Sequence, residues 1–350
     1  MATRRHLARL AAGALLAPAV LRIPRAGAQE MTLRLHHFLP AVSNVHRHFI
    51  QPWAQKVAAE SNNRLRIQIF PAMQLGGAPP QLYDQARDGV ADIIWTLPGN
   101  TPGRFPRIEL FELPFVSHKR AIVNCKAIQE FADRHLRDEF REVHPICVWG
   151  HGEGLIHSRR EVKTMEDLRG LKLRFPSRLN GEALRALGAA PVGMPVPQVP
   201  EALTQGVIDG AVVPWEVVPS LRLHEMLRHH TEVPGSPTLY IATFILAMNK
   251  AKYESLAPDL RRVLDANSGM AAAQMAAKPW DEQGPVVERM VRARGNQITV
   301  ISEAEKARWV ETTKPVIDNW VQQSRDKGFD GAALLAEARA LIAQHSQGVG

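Results

Sequence analysis

Arg174 stands in the stretch Leu171-Lys172-Leu173-Arg174-Phe175. There Leu171, Leu173 and Phe175 alternate with Lys172 and Arg174 at the two-residue period of a strand. A guanidinium in that position is either a charge on a wet sheet face or a fixed cation for an anion. Its planar fork matches a carboxylate and stays charged at any relevant pH. Trp95, Trp149 and Trp215 each end an apolar run, in DIIW, PICVW and GAVVPW. Ligands of open α/β sheets lie outside the carboxyl ends of the strands. Aromatic walls with one cation are therefore the pocket chemistry these residues imply, beside the plainer reading in which each tryptophan caps a core.

Other chemistries fail on spacing. Fourteen histidines invite a metal reading. In HEMLRHH, however, Arg228 stands where the second ligand of HExxH belongs, and His229 and His230 are turned away from His224 on a helix. His36, His37, His46 and His48 are close in sequence, but no carboxylate or cysteine completes a set. In Gly150-His151-Gly152-Glu153-Gly154-Leu155 the third glycine of a dinucleotide loop falls on Leu155, and no GxxxxGK phosphate loop occurs. Without a GxSxG elbow, Ser158, Ser177 and Ser220 have no context that activates them. The sequence thus names no catalytic residue, no metal ligand and no cofactor, and an arginine with aromatic walls points to binding. Charge-assisted bonds contribute about 1.5–3 kcal/mol each. Micromolar affinity, about 8 kcal/mol, then needs apolar contact as well, which the three tryptophans and Phe38 supply.

The elements that must position these residues follow an α/β alternation. MTLRLHHF, RLRIQIF and DIIW read as strands separated by helices over residues 44–61 and 78–90. A Pro- and Gly-rich surface loop over residues 96–115 follows. The next helix, over residues 118–140, leads to the strand PICVW, and GHGEG breaks that strand where the chain would cross between domains. LKLRF, PVGMP and GAVVPW repeat the logic with intervening helices, and IATFILAMN reads as a strand returning to the first domain. Residues 258–294 read as a long helical segment lying across both domains, kinked or broken at Pro279 and Gly284-Pro285, and two helices close the chain.

The chain of 350 residues is long enough for two cores. Its formal charge of +8 is misleading, because residues 1–29 hold five arginines and no acid. Without them, 38 basic side chains face 35 acidic ones, or +3, an ordinary soluble surface that argues against nucleic acid as a partner. Those residues have a basic start, an apolar stretch near 10–21 and a small-residue cleavage site at Ala26-Gly27-Ala28. Residues 1–28 are therefore expected to be a signal peptide, and Arg4-Arg5 is similar to the twin-arginine export motif. About twelve apolar residues are too few for a bilayer that needs roughly 20, and no later segment reaches that length without charge. The mature chain is expected outside the cytoplasm with no stable membrane insertion. Cys125 and Cys147 are left as either a disulfide or two buried thiols.

The motifs taken together resemble the substrate-binding proteins of TRAP (tripartite ATP-independent periplasmic) transporters. In the first domain the likeness lies in FPAMQLGG, RDGVADIIW and GRFPRIELFELPF. In the second it lies in LRGLKLRFPS, in residues 182–210 and in the late strand ending Ala247-Met248-Asn249-Lys250. The resemblance implies a two-domain periplasmic-binding-protein-like α/β fold with crossing strands and a long interdomain helix, closing over a ligand. Domain I would comprise residues 29–151 and 240–279, and domain II residues 152–239 and 280–350. It also implies a periplasmic location, a small organic-acid ligand, and delivery of that ligand to two membrane subunits. The carboxylate-binding arginine of the family's GLKxR motif falls on Arg174.

Two positions depart from the family pattern. Gly154 or Leu155 stands where a second arginine is common, and Val213 stands where an asparagine precedes the proline of DGxxNP. A pocket for sugar acids or dicarboxylates would miss both groups. Leu155, Val213 and Trp215 suggest instead a monocarboxylate with an apolar or aromatic body, enclosed by Trp215, Trp95, Phe38 and Trp149. Glu216 would either receive a polar group of the ligand or face water. An exported enzyme acting on a small carboxylate in the same cleft is the alternative.

Overall fold

The computed structural model describes residues 30–349, so the expected signal peptide lies outside the described residues. Strand β1 (Met31–His37) leads through a π-helical turn into α1 (Gln51–Glu60), then β2 (Leu65–Phe70), α2 (Leu82–Arg87) and β3 (Ile93–Thr96). The Pro-rich loop that follows is largely buried and carries two 3-10 turns, Pro98–Asn100 and Ile108–Glu112. Helix α3 (Ala121–His135) and strand β4 (Val143–Gly150) complete the first pass.

The second pass begins at β5 (Leu155–Ser158) and continues through β6 (Lys172–Phe175), α4 (Arg178–Ala186), β7 (Ala190–Gly193) and α5 (Val199–Thr204). It ends with β8 (Gly210–Val213), α6 (Leu223–Met226) and β9 (His229–Glu232). The chain returns as β10 (Thr243–Asn249) into α7 (Lys250–Glu254), α8 (Pro258–Ala266), α9 (Gly269–Asp281) and α10 (Gly284–Ala293). A short β11 (Gln297–Val300), α11 (Glu303–Asp326) and α12 (Gly331–Ser346) close it.

Two sheets result, ordered β2-β1-β3-β10-β4 and β11-β9-β5-β8-β6-β7. Each is parallel except for one strand: β10 pairs antiparallel with β3 and β4, and β5 with β8 and β9. Both exceptions are strands entered directly from the other sheet. Because β4 connects to β5 and β9 to β10 with no helix between them, two segments cross side by side. They are joined by Gly154 N–H donating to the Tyr240 carbonyl at 3.2 Å and His151 N–H donating to that of Ala242 at 3.4 Å. Crossing strands of this kind let two lobes move about a narrow hinge.

Burial follows the sequence periodicity. Leu33 and Leu35 of β1 and Ile93 and Ile94 of β3 are fully buried, as are Trp53 and Val57 on one face of α1. In the second lobe Leu168, Leu171, Leu173 and Leu184 form the core under β6. The helical segment 258–294 is broken twice, at Asn267-Ser268 and at Glu282-Gln283. Pro279 sits inside α9 without ending it, since the helix runs on to Asp281. Its members α9 and α10 lie across the lobes, α9 on α3 and β4, and α10 on the turn after β8. Helix α11 packs on α4, whereas α12, grouped with domain II on sequence, packs against α3 of the first lobe. Ser302 and Asp330 cap these two helices by accepting from the backbone N–H of Glu305 and Ala333. Strands β5, β9 and β11 have no counterpart in the sequence reading, because runs of four residues such as HHTE carry no clear alternation.

Cys125 and Cys147 are separate buried thiols, and Cys125 Sγ–H donates to the Gly150 carbonyl at 3.2 Å. Among the described residues no helix is long and apolar enough to cross a membrane.

Candidate functional site

A cavity lies where the carboxyl ends of the two sheets face one another. Its first-lobe wall is aromatic. Trp95, at the end of β3, packs on Phe38 with ring centroids 4.6 Å apart and on Phe244 of β10 at 5.8 Å. Phe244 in turn stacks on Trp280 of α9 at 5.5 Å, nearly parallel. The second-lobe wall is aliphatic, made by Val196, Val212 and Val213 with Pro176 and Pro214. A flat ring between two such walls buries both faces.

The polar groups are few and separated. Arg174 projects from β6 into this cavity and is only 3% exposed. Its Nε donates to the Met194 carbonyl at 2.9 Å and its Nη1 to that of Val212 at 3.2 Å. Among the described residues Nη2 has no acceptor and no carboxylate pairs with the guanidinium. Burial pulls it down to about 10, which leaves it charged at neutral pH. A buried cation held only by neutral carbonyls is incompletely compensated, so an anion is favoured beside it.

Two neighbours from the crossing segments complete this end. Among the described residues the buried Tyr240 hydroxyl has no partner; burial raises its phenol, against the pull of Arg174, so the O–H stays available as a donor. His151 accepts the Ala242 N–H at Nε2, 2.8 Å, so its Nδ1 carries the proton and donates to the Gly152 carbonyl at 2.7 Å. Burial holds His151 down to about 4, and Arg174 disfavours its charge further. It is neutral and fully engaged, a strut between the crossings rather than an acid or base.

Glu216 borders the same cavity from the 3-10 turn Trp215–Val217 that follows β8. Its carbonyl accepts from Asn44 Nδ2 at 2.8 Å, a bond between the lobes. Its carboxyl is buried, and desolvation raises it to about 8 although the Val45 N–H and the Trp280 indole favour the anion. Neither Glu216 Oε1 nor Trp280 Nε1 completes a well-formed hydrogen bond.

Of the residues named from sequence, the structure brings Phe38, Trp95, Arg174, Val213 and Glu216 to this cavity. Three others stand elsewhere. Trp149 stacks behind Trp95 at 6.4 Å. Leu155 is 1% exposed on β5 opposite Val213, outside the cavity lining. Trp215 turns away, its Nε1 donating to Glu232 at 2.9 Å and its ring packed against His157 and His230, and it lines a neighbouring cavity that also borders Glu216. Tyr240, Phe244 and Trp280 were not read from the sequence. Phe244 lies in the predicted return strand, but which face of β10 meets the cavity depends on its pairing with β3. Among the described residues no group of three His, Cys, Asp or Glu side chains is placed to hold a metal.

Residues 35–324 match the family described as bacterial extracellular solute-binding protein, family 7. Among solved structures, a TRAP solute-binding protein from Rhodoferax ferrireducens T118, in complex with copurified benzoate, is 44% identical. It superposes with a TM-score of 0.89 over 91% of this chain and 100% of that one. A marine-metagenome TRAP protein specific for aromatic acid ligands, in complex with 3-hydroxybenzoate, is 43% identical with a TM-score of 0.88 over 91% and 99% of the two chains. One from Bordetella bronchiseptica with bound (R)- and (S)-mandelate is 28% identical with a TM-score of 0.83 over 90% and 99%. All three are solute-binding proteins, which gives the enzyme alternative no support.

Proposed function

The chain belongs to family 7 of the bacterial extracellular solute-binding proteins, the TRAP receptors, and from that premise we propose that it captures an aromatic monocarboxylate of benzoate size. Such receptors bind small organic acids outside the cytoplasm and work with membrane transporter subunits. In this reading the protein is exported to the periplasm by its twin-arginine-like leader and hands the acid to two such subunits. It binds without turning the ligand over. The observation that carries the reading is one buried, unpaired guanidinium in a cavity whose other walls are aromatic and aliphatic.

The ligand carboxylate takes the free Nη2 of Arg174 and the Tyr240 hydroxyl, while its ring lies between Trp95, Phe38 and Phe244 on one side and Val212 and Val213 on the other. Two charge-assisted bonds at about 1.5–3 kcal/mol each and about 100 Å² of ring surface at 25 cal/mol per Å² together reach the range of micromolar binding. A second carboxylate would have no cation, which sets dicarboxylates apart. The relatives that carry benzoate, 3-hydroxybenzoate and mandelate support the same class.

Isothermal titration with benzoate, its hydroxy derivatives, mandelate and succinate tests this. An aromatic monocarboxylate is expected to bind at micromolar Kd or tighter and succinate at least tenfold more weakly, with Arg174→Ala losing tenfold or more for the best ligand. Unchanged affinity in Arg174→Ala would overturn the reading.

A further inference from the structure

Among the described residues the buried carboxyl of Glu216 is the one acidic group on the cavity wall, and the Val45 N–H and Trp280 indole that face it leave Oε1 without a well-formed hydrogen bond. Glu216 is 3% exposed and Trp280 6% exposed. Among the described residues, Oε1 of the first and Nε1 of the second are both buried without a well-formed hydrogen bond. Leaving such groups unpaired forfeits their hydration without return, and two that border the same cavity as Arg174 are not explained by an apolar ring. Among the described residues no ion pair joins Glu216, on the turn after β8, to Arg174 of β6, whose acceptors are the Met194 and Val212 carbonyls. A ligand therefore meets the two at separate points of its outline.

We infer that Glu216, with the indole N–H of Trp280 beside it, reads a hydroxyl on the ring of the acid at a position away from the carboxylate. This rests on the aromatic-acid reading above and narrows it to hydroxylated members. The hydroxyl donates its proton to Oε1 and accepts from Trp280 Nε1, so one O–H satisfies both orphaned atoms. An ether at that position offers no proton and leaves Oε1 unpaired. A second anion there would give up its hydration with no cation to replace it. Trp280 reaches the cavity through its stack on Phe244, and Glu216 is fixed by the bond from Asn44 to its carbonyl. The hydroxyl reader therefore forms only when the two lobes are together.

The chain measures this through a ratio, the Kd of benzoate divided by that of its 3- or 4-hydroxy derivative, with the matching methoxybenzoate as the proton-free analogue. In the wild type the ratio for the better hydroxy isomer is expected to be at least ten, and the methoxy analogue to bind no better than benzoate. Glu216→Leu is expected to bring the ratio below three, and Glu216→Gln, whose amide oxygen still accepts, to keep most of it. Circular dichroism confirms that each variant is folded. A wild-type ratio near one, as when water from the neighbouring cavity serves Oε1, overturns the inference and leaves the aromatic-acid reading intact. A ratio equal in wild type and Glu216→Leu does the same. If no benzoate derivative binds the wild type at all, both fail together.

Discussion

Arg174 on β6 donates through Nη1 to the carbonyl of Val212 on β8, 3.2 Å away, so the guanidinium is fixed by backbone and not by an acid. Fixing a cation in this way holds its fork in register while leaving its charge for a ligand. The same two strands pair in parallel from Leu173 and Gly210 onward, which places Val212 and Val213 beside the arginine as wall and anchor at once.

Replacing the fork by a point charge tests whether that orientation matters. Arg174→Lys keeps the charge but gathers its three donors on one nitrogen, which cannot span the Met194 and Val212 carbonyls and the ligand as the planar fork does. Affinity for the best aromatic acid is expected to fall at least tenfold, about 1.4 kcal/mol. Titration calorimetry that finds wild-type affinity in Arg174→Lys would show that charge alone suffices.

Glycine at position 99 permits one of the close contacts between the lobes. A β-carbon there would lie 2.6 Å from Ser177 Cβ and 3.4 Å from Glu112 Oε2, groups that meet only where the first-lobe turn faces α4. Overpacking of this kind costs about 1–3 kcal/mol. Gly99→Ala is expected to weaken ligand binding roughly fivefold or more and to enlarge the ligand-bound particle in small-angle scattering. Adding Ser177→Gly, which removes the opposing atom, should restore both. Failure of that rescue would mean the lobes do not meet there when ligand is bound.

The acid on the cavity wall makes unligated stability fall as pH rises from about 4 to about 8. Desolvation raises Glu216 to about 8 in the folded chain, against about 4.3 unfolded. Its contribution is thus fully present below pH 4 and is lost as pH rises through 8. Glu216→Gln cannot ionise, so its unfolding free energy relative to wild type should grow by up to about 1.4 kcal/mol per pH unit across that window. Urea denaturation at several pH values between 4.5 and 8.5 reads the difference. A constant difference would place the Glu216 carboxyl in water.

A buried histidine pair works in the opposite direction. His157 Nε2–H donates to the Val213 carbonyl at 3.1 Å, so its Nδ1 accepts from His230 Nδ1–H at 2.6 Å, and His230 Nε2 accepts from Asn296 at 3.1 Å. Both rings are neutral, and burial holds them down to about 4 and about 2. Depressed histidines contribute stability above the unfolded value of about 6.5 that is lost as pH falls. His230→Gln is expected to reduce the loss between pH 6.5 and 4.5 by about one proton, or 1.4 kcal/mol per pH unit. An unchanged acid slope in the same denaturation series would show that protonation reaches the pair without unfolding it.

The sequence by itself determined the alternation of elements, the strand that carries Arg174, and the family. Each of these is written locally: a two-residue period in LKLRF, apolar runs bounded by Pro and Gly, and motifs in fixed order. It also favoured a monocarboxylate, because the absence of a second arginine near Leu155 and of asparagine at 213 is visible without coordinates. Only the tertiary structure decided which tryptophans face the cavity. Trp95, Trp149 and Trp215 end similar runs, yet the β3–β10 pairing aims Trp95 inward, Trp149 is covered by it, and the bond to Glu232 draws Trp215 away. Tyr240 and Trp280 come from a crossing segment and a helix far along the chain, and α12 returns to the first lobe because its apolar face finds α3. Periodicity records which side of an element is apolar; what that side meets is settled by packing among elements hundreds of residues apart.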